Sequence, residues 1–160
     1  MQRANITETN LRFGSLSERA QTNLIVIHHT GAEIDASAEQ IHDWHLNQGW
    51  SGIGYHFVVR KDGRIERGRP EWAIGSHAYR FNNFSLGIHL SGDFDATFPT
   101  IAQVEMTAML LANLCAGYCI PIDKAHIVGH CDLMATDCPG KNLYAKIPIL
   151  VGKANWYRNN

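Results

Sequence analysis

Apolar and polar positions alternate along this chain with two different periods, and the change of period marks out its elements. Leu24-Ile25-Val26-Ile27 is an unbroken β-branched and apolar run, the pattern of a strand covered on both faces, so a central place in a sheet is expected. The two residues that follow, His28 and His29, then point to opposite faces. Ser37-Ala38-Glu39-Gln40 is a capping box, and Ile41, Trp44 and His45 continue it on one helical face as far as Gly49, which predicts a helix of about three turns. Tyr55 to Arg60 alternates in two faces and runs through Asp62-Gly63 into Arg64-Ile65-Glu66, a hairpin signal that places Tyr55, Phe57 and Val59 on one face.

Residues 68 to 84 are broken by Gly68, Pro70, Gly75, Asn82 and Asn83 but carry Trp72, His77, Tyr79 and Phe81, which reads as a ligand-gripping loop. Leu86 to Leu90 reads as another strand. Thr100-Ile101-Ala102-Gln103 is a second capping box, with Val104, Ala108, Leu111, Cys115 and Tyr118 at helical spacing over about five turns. Ala125 to Val128 is a short strand, and Leu143 to Tyr157 a terminal helix that Pro148 starts or bends. Strands and helices alternate without a strict βαβ repeat. The expected fold is α/β: one domain, with a central mixed sheet flanked by about three main helices. Residues 1 to 22 have no clear period, and they are read as an arm covering a body at 23 to 160.

With 160 residues the chain can bury a core without covalent staples. A net charge of -1 gives no nucleic-acid footprint and does not set a substrate class; a neutral polymer or small polar molecule fits. Cysteines at 115, 119, 131 and 138 do not form a disulfide framework. The first twenty residues lack the apolar run of a secretory signal, and no segment has the roughly eighteen apolar residues of a membrane span. The expectation is a monomer, cytoplasmic at synthesis, with no nucleic-acid or membrane partner.

The chemistry gathers in His126-Ile-Val-Gly-His-Cys-Asp-Leu-Met-Ala-Thr-Asp-Cys-Pro-Gly140. His130 and Cys138 are nitrogen and sulfur donors that zinc prefers, placed to converge at a strand end. A third donor is available upstream in His28 or His29. Three protein ligands and one open position define a catalytic zinc site, which suits amide hydrolysis; a fourth ligand from Cys131, His126 or His29 would make the site structural. Cys131 adjoins His130 and should point away from it if the strand continues. His42, His45, His56, His89 and His126 read as packing or surface residues, with His126 also open to a supporting role beside a ligand.

Several motifs occur in one unbroken order over about residues 23 to 145: Ile25-Val-Ile-His-His-Thr30, Trp44-His45, Gly49-Trp50, Ile53-Gly-Tyr-His-Phe57, Asp62-Gly63, Gly68-Arg69, Gly75-Ser-His-Ala78, Asn82, Ser85-Leu-Gly-Ile88, Gly92-Asp-Phe94, Gly129-His130 and Thr136-Asp-Cys-Pro-Gly140. In this order the chain resembles the type 2 N-acetylmuramoyl-L-alanine amidases, a superfamily that includes phage lysozyme-amidases and peptidoglycan recognition proteins. The resemblance implies one Zn2+ held by His28, His130 and Cys138, and it selects His28 over His29. It also implies that Tyr55 assists the hydrolytic water or the charged intermediate, and that Thr136 acts on the oxyanion side where phage lysozymes carry a lysine. His77 and Asn82 would then line the substrate groove, with Trp72 and Tyr79 as further aromatics read from the residues alone.

The implied function is a peptidoglycan hydrolase cutting the amide between N-acetylmuramic acid and the L-alanine of the stem peptide, in the setting of a phage or prophage endolysin. The alternative is a non-catalytic peptidoglycan-binding module. Members that only bind typically lack the cysteine ligand, and Cys138 is present here.

Overall fold

A computed structural model describes all residues, 1–160. Six strands form one mixed sheet: β1 (Ile6–Thr7), β2 (Leu24–His29), β3 (Phe57–Val59), β4 (Ile65–Arg67), β5 (Ser85–Leu90) and β6 (Ile127–Gly129). Their order across the sheet is β1-β4-β3-β5-β2-β6, with β3 and β4 the single antiparallel pair. The apolar run at Leu24 is accordingly near the centre, with all six residues of β2 buried between β5 and β6. Strand β2 pairs with β5 in register, so that His28 lies opposite His89.

Four helices flank the sheet: α1 (Ala38–Asn47), α2 (Ile101–Tyr118), the single turn α3 (Lys141–Tyr144) and α4 (Ile147–Asn159). Both capping boxes form. The Ser37 and Thr100 hydroxyls accept from the backbone N–H groups of Gln40 and Gln103, whose side chains bond back to the cap residues. Gly49 follows the end of α1 with a φ of +86°, and Pro148 sits in the first turn of α4, starting that helix rather than bending it. The buried carboxamide of Gln103 also donates to the carbonyls of Val59 and Ser91, which joins α2 to the ends of β3 and β5.

The sheet has two unequal faces. Ile25, Ile27, Phe57, Val59, Leu86, Ile88 and Leu90 point to the face covered by α2 and α4, where they belong to a cluster of 22 buried residues that contains most of the core. The opposite face has smaller clusters around Ile41, Ile53 and Val58, and around Leu24, Val26 and Ala78. Burial of apolar area is concentrated on the helical face, which leaves the other face free to carry polar groups: His28, Ser85, Gly87 and His89 lie there by strand alternation.

One expectation about the hairpin fails. Tyr55 does not share a face with Phe57 and Val59; it packs beside Ile53 and Val58 on the opposite side of the sheet. The ladder begins only at Phe57, and the preceding residues turn instead to pair with the following loop, where Arg69 N–H bonds the Tyr55 carbonyl at 2.8 Å. Period-two alternation therefore stops before it reaches Tyr55.

The arm is tied to the body along its length. Its β1 segment extends the sheet beside β4. Leu11 and Phe13 pack on the smaller cluster near α1, the Arg12 carbonyl lies 2.9 Å from His42 Nε2, and Arg19 N–H donates to the Trp72 carbonyl. The buried Arg19 guanidinium donates to Thr22 Oγ1 and to the Ala73 carbonyl, both at 2.7 Å.

Candidate metal centre

The end of β2, the turn after β6 and the segment before α3 bring His28, His130 and Cys138 together. One donor atom from each lies within 4.8 Å of the other two, and these three form a complete cluster with no fourth His, Cys, Asp or Glu. Cys131 is half-buried and stands outside it, although its N–H bonds the Cys138 carbonyl at 2.9 Å. His126 is also outside, with Nδ1 2.7 Å from Asp123. His29 faces the helical side, where its Nδ1 accepts from Phe94 N–H, while its own backbone N–H points at Cys138 Sγ at 3.4 Å.

The donor set fits a zinc-like ion on geometric grounds. Tetrahedral zinc, with nitrogen at about 2.0–2.1 Å and sulfur at about 2.3 Å, requires a nitrogen-sulfur separation of about 3.6 Å. His28 Nδ1 and Cys138 Sγ are 3.6 Å apart. The electrostatics agree. Burial, and then the neighbouring His77 and His130, hold the His28 imidazole well below its ordinary pKa, and burial lowers that of His130, so both rings are neutral donors. Burial pushes the Cys138 thiol up to about 12, so it stays protonated until a cation displaces the proton.

The centre adjoins, through His130, a groove of about 630 Å³ lined also by Trp50, Tyr55, His77, Tyr79 and Asn82 among others. The Tyr55 ring is 4.9 Å from that of His28 and 4.8 Å from that of His89. Burial and the Cys138 thiol raise the phenol above its ordinary value, so at neutral pH it is a hydrogen-bond donor. Thr136 Oγ1 accepts from Cys138 N–H at 3.2 Å, which leaves its own hydrogen available. Asn82 Oδ1 accepts from the N–H groups of His77 and Ala78, both at 2.9 Å, and so closes the loop that forms one groove wall.

Of the two loop aromatics, Tyr79 lines the groove and Trp72, 53% exposed, does not. Met134 and Arg69 also line it; Arg69 stands in the Gly68-Arg69 motif of the resemblance, but the sequence reading assigns neither residue to the site. Arg69 holds the wall, donating to the carbonyls of Gly52, Ile53 and Ile74. Local spacing carries no signal for such a role, because its acceptors come from separate turns. His42, His45, His56 and His89 are buried as packing residues, in keeping with the sequence reading.

Comparison with known proteins supplies the family. Residues 18–141 match the model of the N-acetylmuramoyl-L-alanine amidase family. The chain is 37% identical to an endolysin of Enterobacteria phage T3 over 133 residues, 78% of this chain and 85% of that protein. Among solved structures it is similar to the endolysin N-acetylmuramoyl-L-alanine amidase LysCS from Clostridium intestinale, with a TM-score of 0.87 and 37% identity over 94% of this chain and 97% of the other. It is also similar to a Drosophila PGRP-LB variant in complex with tracheal cytotoxin, with a TM-score of 0.79 and 28% identity over 89% of this chain and 92% of the other. The three converging donors, the groove beside them and these likenesses agree: the chain belongs to the N-acetylmuramoyl-L-alanine amidase family.

Proposed function

We propose that this protein is a zinc-dependent peptidoglycan hydrolase that cuts the amide joining N-acetylmuramic acid to the L-alanine of the stem peptide, and that it works as an endolysin. The observation that carries the reading is the convergence of His28, His130 and Cys138 beside a groove lined by His130 and Tyr55, with the Tyr55 ring against that of His28. The endolysin relatives support a cell-wall substrate, and the tracheal cytotoxin complex of a structural relative supports a peptidoglycan fragment in the groove. No helix is long and apolar enough to cross a membrane.

His28, His130 and Cys138 would hold the ion, which when bound supplies Lewis acidity and a lowered water pKa. The chain's own residues do the rest. Tyr55, kept protonated by burial, donates a hydrogen bond toward the oxygen on which charge develops as the amide carbon becomes tetrahedral. Thr136 offers a second, neutral hydroxyl from the segment that carries Cys138. His77 and Asn82 belong to the wall against which peptide or sugar lies. Buried neutral imidazoles around the site keep it free of competing charge.

The test is digestion of purified sacculi with the zinc-loaded protein, followed by mass spectrometry of the products and metal analysis of the protein. The expected result is one zinc per chain, new L-alanine amino termini and loss of release on chelation. Cleavage between sugars or within the peptide would refute the bond assignment, and binding to sacculi without release would indicate a recognition module.

A further inference from the structure

Both ring nitrogens of His77 are already engaged inside the protein. Nδ1 lies 2.9 Å from His28 Nε2, and Nε2 lies 3.2 Å from Ser85 Oγ. The Ser85 hydroxyl is in turn 2.7 Å from the Phe81 carbonyl oxygen. A carbonyl only accepts, so Ser85 gives its single proton to Phe81, and its oxygen must accept from His77 Nε2–H. A neutral His77 then has a lone pair on Nδ1, which accepts from His28 Nε2–H. The remaining lone pair of His28 is on Nδ1, the nitrogen 3.6 Å from Cys138 Sγ.

The ring is seated for this arrangement. A Cβ on Gly87 would lie 2.6 Å from His77 Cγ, and one on Gly75 would lie 2.7 Å from His77 Cδ2, so a side chain at either position would displace the imidazole. Ser85 and Gly87 are on the same face of β5, one bonding the ring and the other leaving room for it. The ring is buried, and it stands nearly perpendicular to that of His28, at 86°.

We infer that the Phe81 carbonyl, Ser85 and His77 form a proton-ordering chain that fixes His28 as the Nε2–H tautomer and presents its Nδ1 lone pair to the metal, which makes His77 and Ser85 positioning residues. The inference rests on the proposal that His28, His130 and Cys138 hold the ion. It names the residues that make one of those ligands competent, in the way that groups behind a metal ligand generally set its tautomer and orientation.

Two measurements decide it. In metal-free wild-type protein, 15N NMR of the imidazoles should show His28 protonated on Nε2 and His77 protonated on Nε2. In Ser85→Ala and His77→Leu, competition with a chromophoric chelator should show zinc bound about 10- to 100-fold more weakly, with kcat lowered in both and, in Ser85→Ala, KM within about twofold of wild type. His77→Gln keeps an oxygen that can accept from His28 and should recover part of the affinity. A wild-type spectrum with the His28 proton on Nδ1 overturns the inference, whatever the variants do. So does unchanged zinc affinity in folded variants, or a rise in KM alone, which would assign His77 to substrate. A wild-type protein that binds no zinc and cuts no sacculi would instead refute the function proposed above.

Discussion

Cys138 Sγ lies 3.6 Å from His28 Nδ1 although 110 residues separate them in the chain. Together they form one edge of the tetrahedron a zinc ion requires. Replacement of Cys138 by alanine removes the only sulfur of the cluster. Calorimetry should show zinc affinity falling by roughly 100-fold or more, and amidase activity should fall to background. Zinc at about a hundred times its Kd should stabilise the wild type by about 2.7 kcal/mol, and Cys138→Ala should show no such rise in Tm.

In the function proposed above, Tyr55 donates rather than ligates. Tyr55→Phe is expected to retain one zinc, because burial holds the phenol protonated and the proposed ligands are His28, His130 and Cys138. Its kcat should fall by about 100- to 1,000-fold, the usual loss when one donor to a developing oxyanion is removed, with little change in KM. Metal analysis alongside steady-state kinetics checks this; loss of zinc from the variant would contradict the assigned role.

Acid should unfold the protein through its buried histidines. Burial lowers His45 to about 4, and His56 and His89 to about 3. Below the unfolded value of about 6.5, the unfolded chain takes up protons that the folded one refuses, so stability present at neutral pH is lost as pH falls toward the folded values. Each imidazole contributes a slope of at most about 1.4 kcal/mol per pH unit in that window. Thermal unfolding of chelator-treated protein between pH 7.5 and 5 should show Tm falling steeply below 6.5. A flat profile there would mean that these rings are protonated in the folded state.

Arg19 fastens the arm to the loop segment at residues 72–73, just ahead of the groove-lining Ser76 and His77. Arg19→Ala removes the donor to the Ala73 carbonyl and to Thr22, at an expected cost of about 2–3 kcal/mol for charged hydrogen bonds in a buried setting. Amide exchange should quicken in residues 72–76, where the arm also pairs through Arg19 and Ser17. Unchanged protection there would show that this loop segment is held without the arm.

Gln103 tests the scaffold without touching the site. Gln103→Leu removes the donor to the Ser91 carbonyl, one of the two donors to the Val59 carbonyl, and the acceptor of Thr100 N–H, and denaturant unfolding should show a loss of about 2–4 kcal/mol. Activity per folded molecule is expected to stay at the wild-type level, since no groove residue contacts the carboxamide.

Elements whose causes lie within a few residues are legible in the amino-acid order. The two capping boxes, the apolar run at Leu24, the Gly49 stop and the placement of Pro148 each depend on neighbours within one turn or one strand, and each forms. Alternation also puts His28 and His29 on opposite faces, though it does not say which face holds a site. For Tyr55 alternation gives the wrong face, because its direction depends on where the ladder to the 65–67 strand begins, and that is fixed by pairing with residues beyond the hairpin. His77 is legible as a groove residue, but its bonds to His28 and Ser85 are not, since nothing in its own segment encodes them.

The sequence by itself determined the helices, the central strand and, through collinear motifs, the family and its candidate donors, because hydrophobic period and capping chemistry act over short range. Tertiary structure alone decided which side chains meet: the Cys138 and His28 edge, the side of the sheet taken by Tyr55, and the ordering of protons behind His28. Those contacts join residues tens of positions apart, and they exist only once burial of the apolar face against α2 and α4 has brought the strand ends into register.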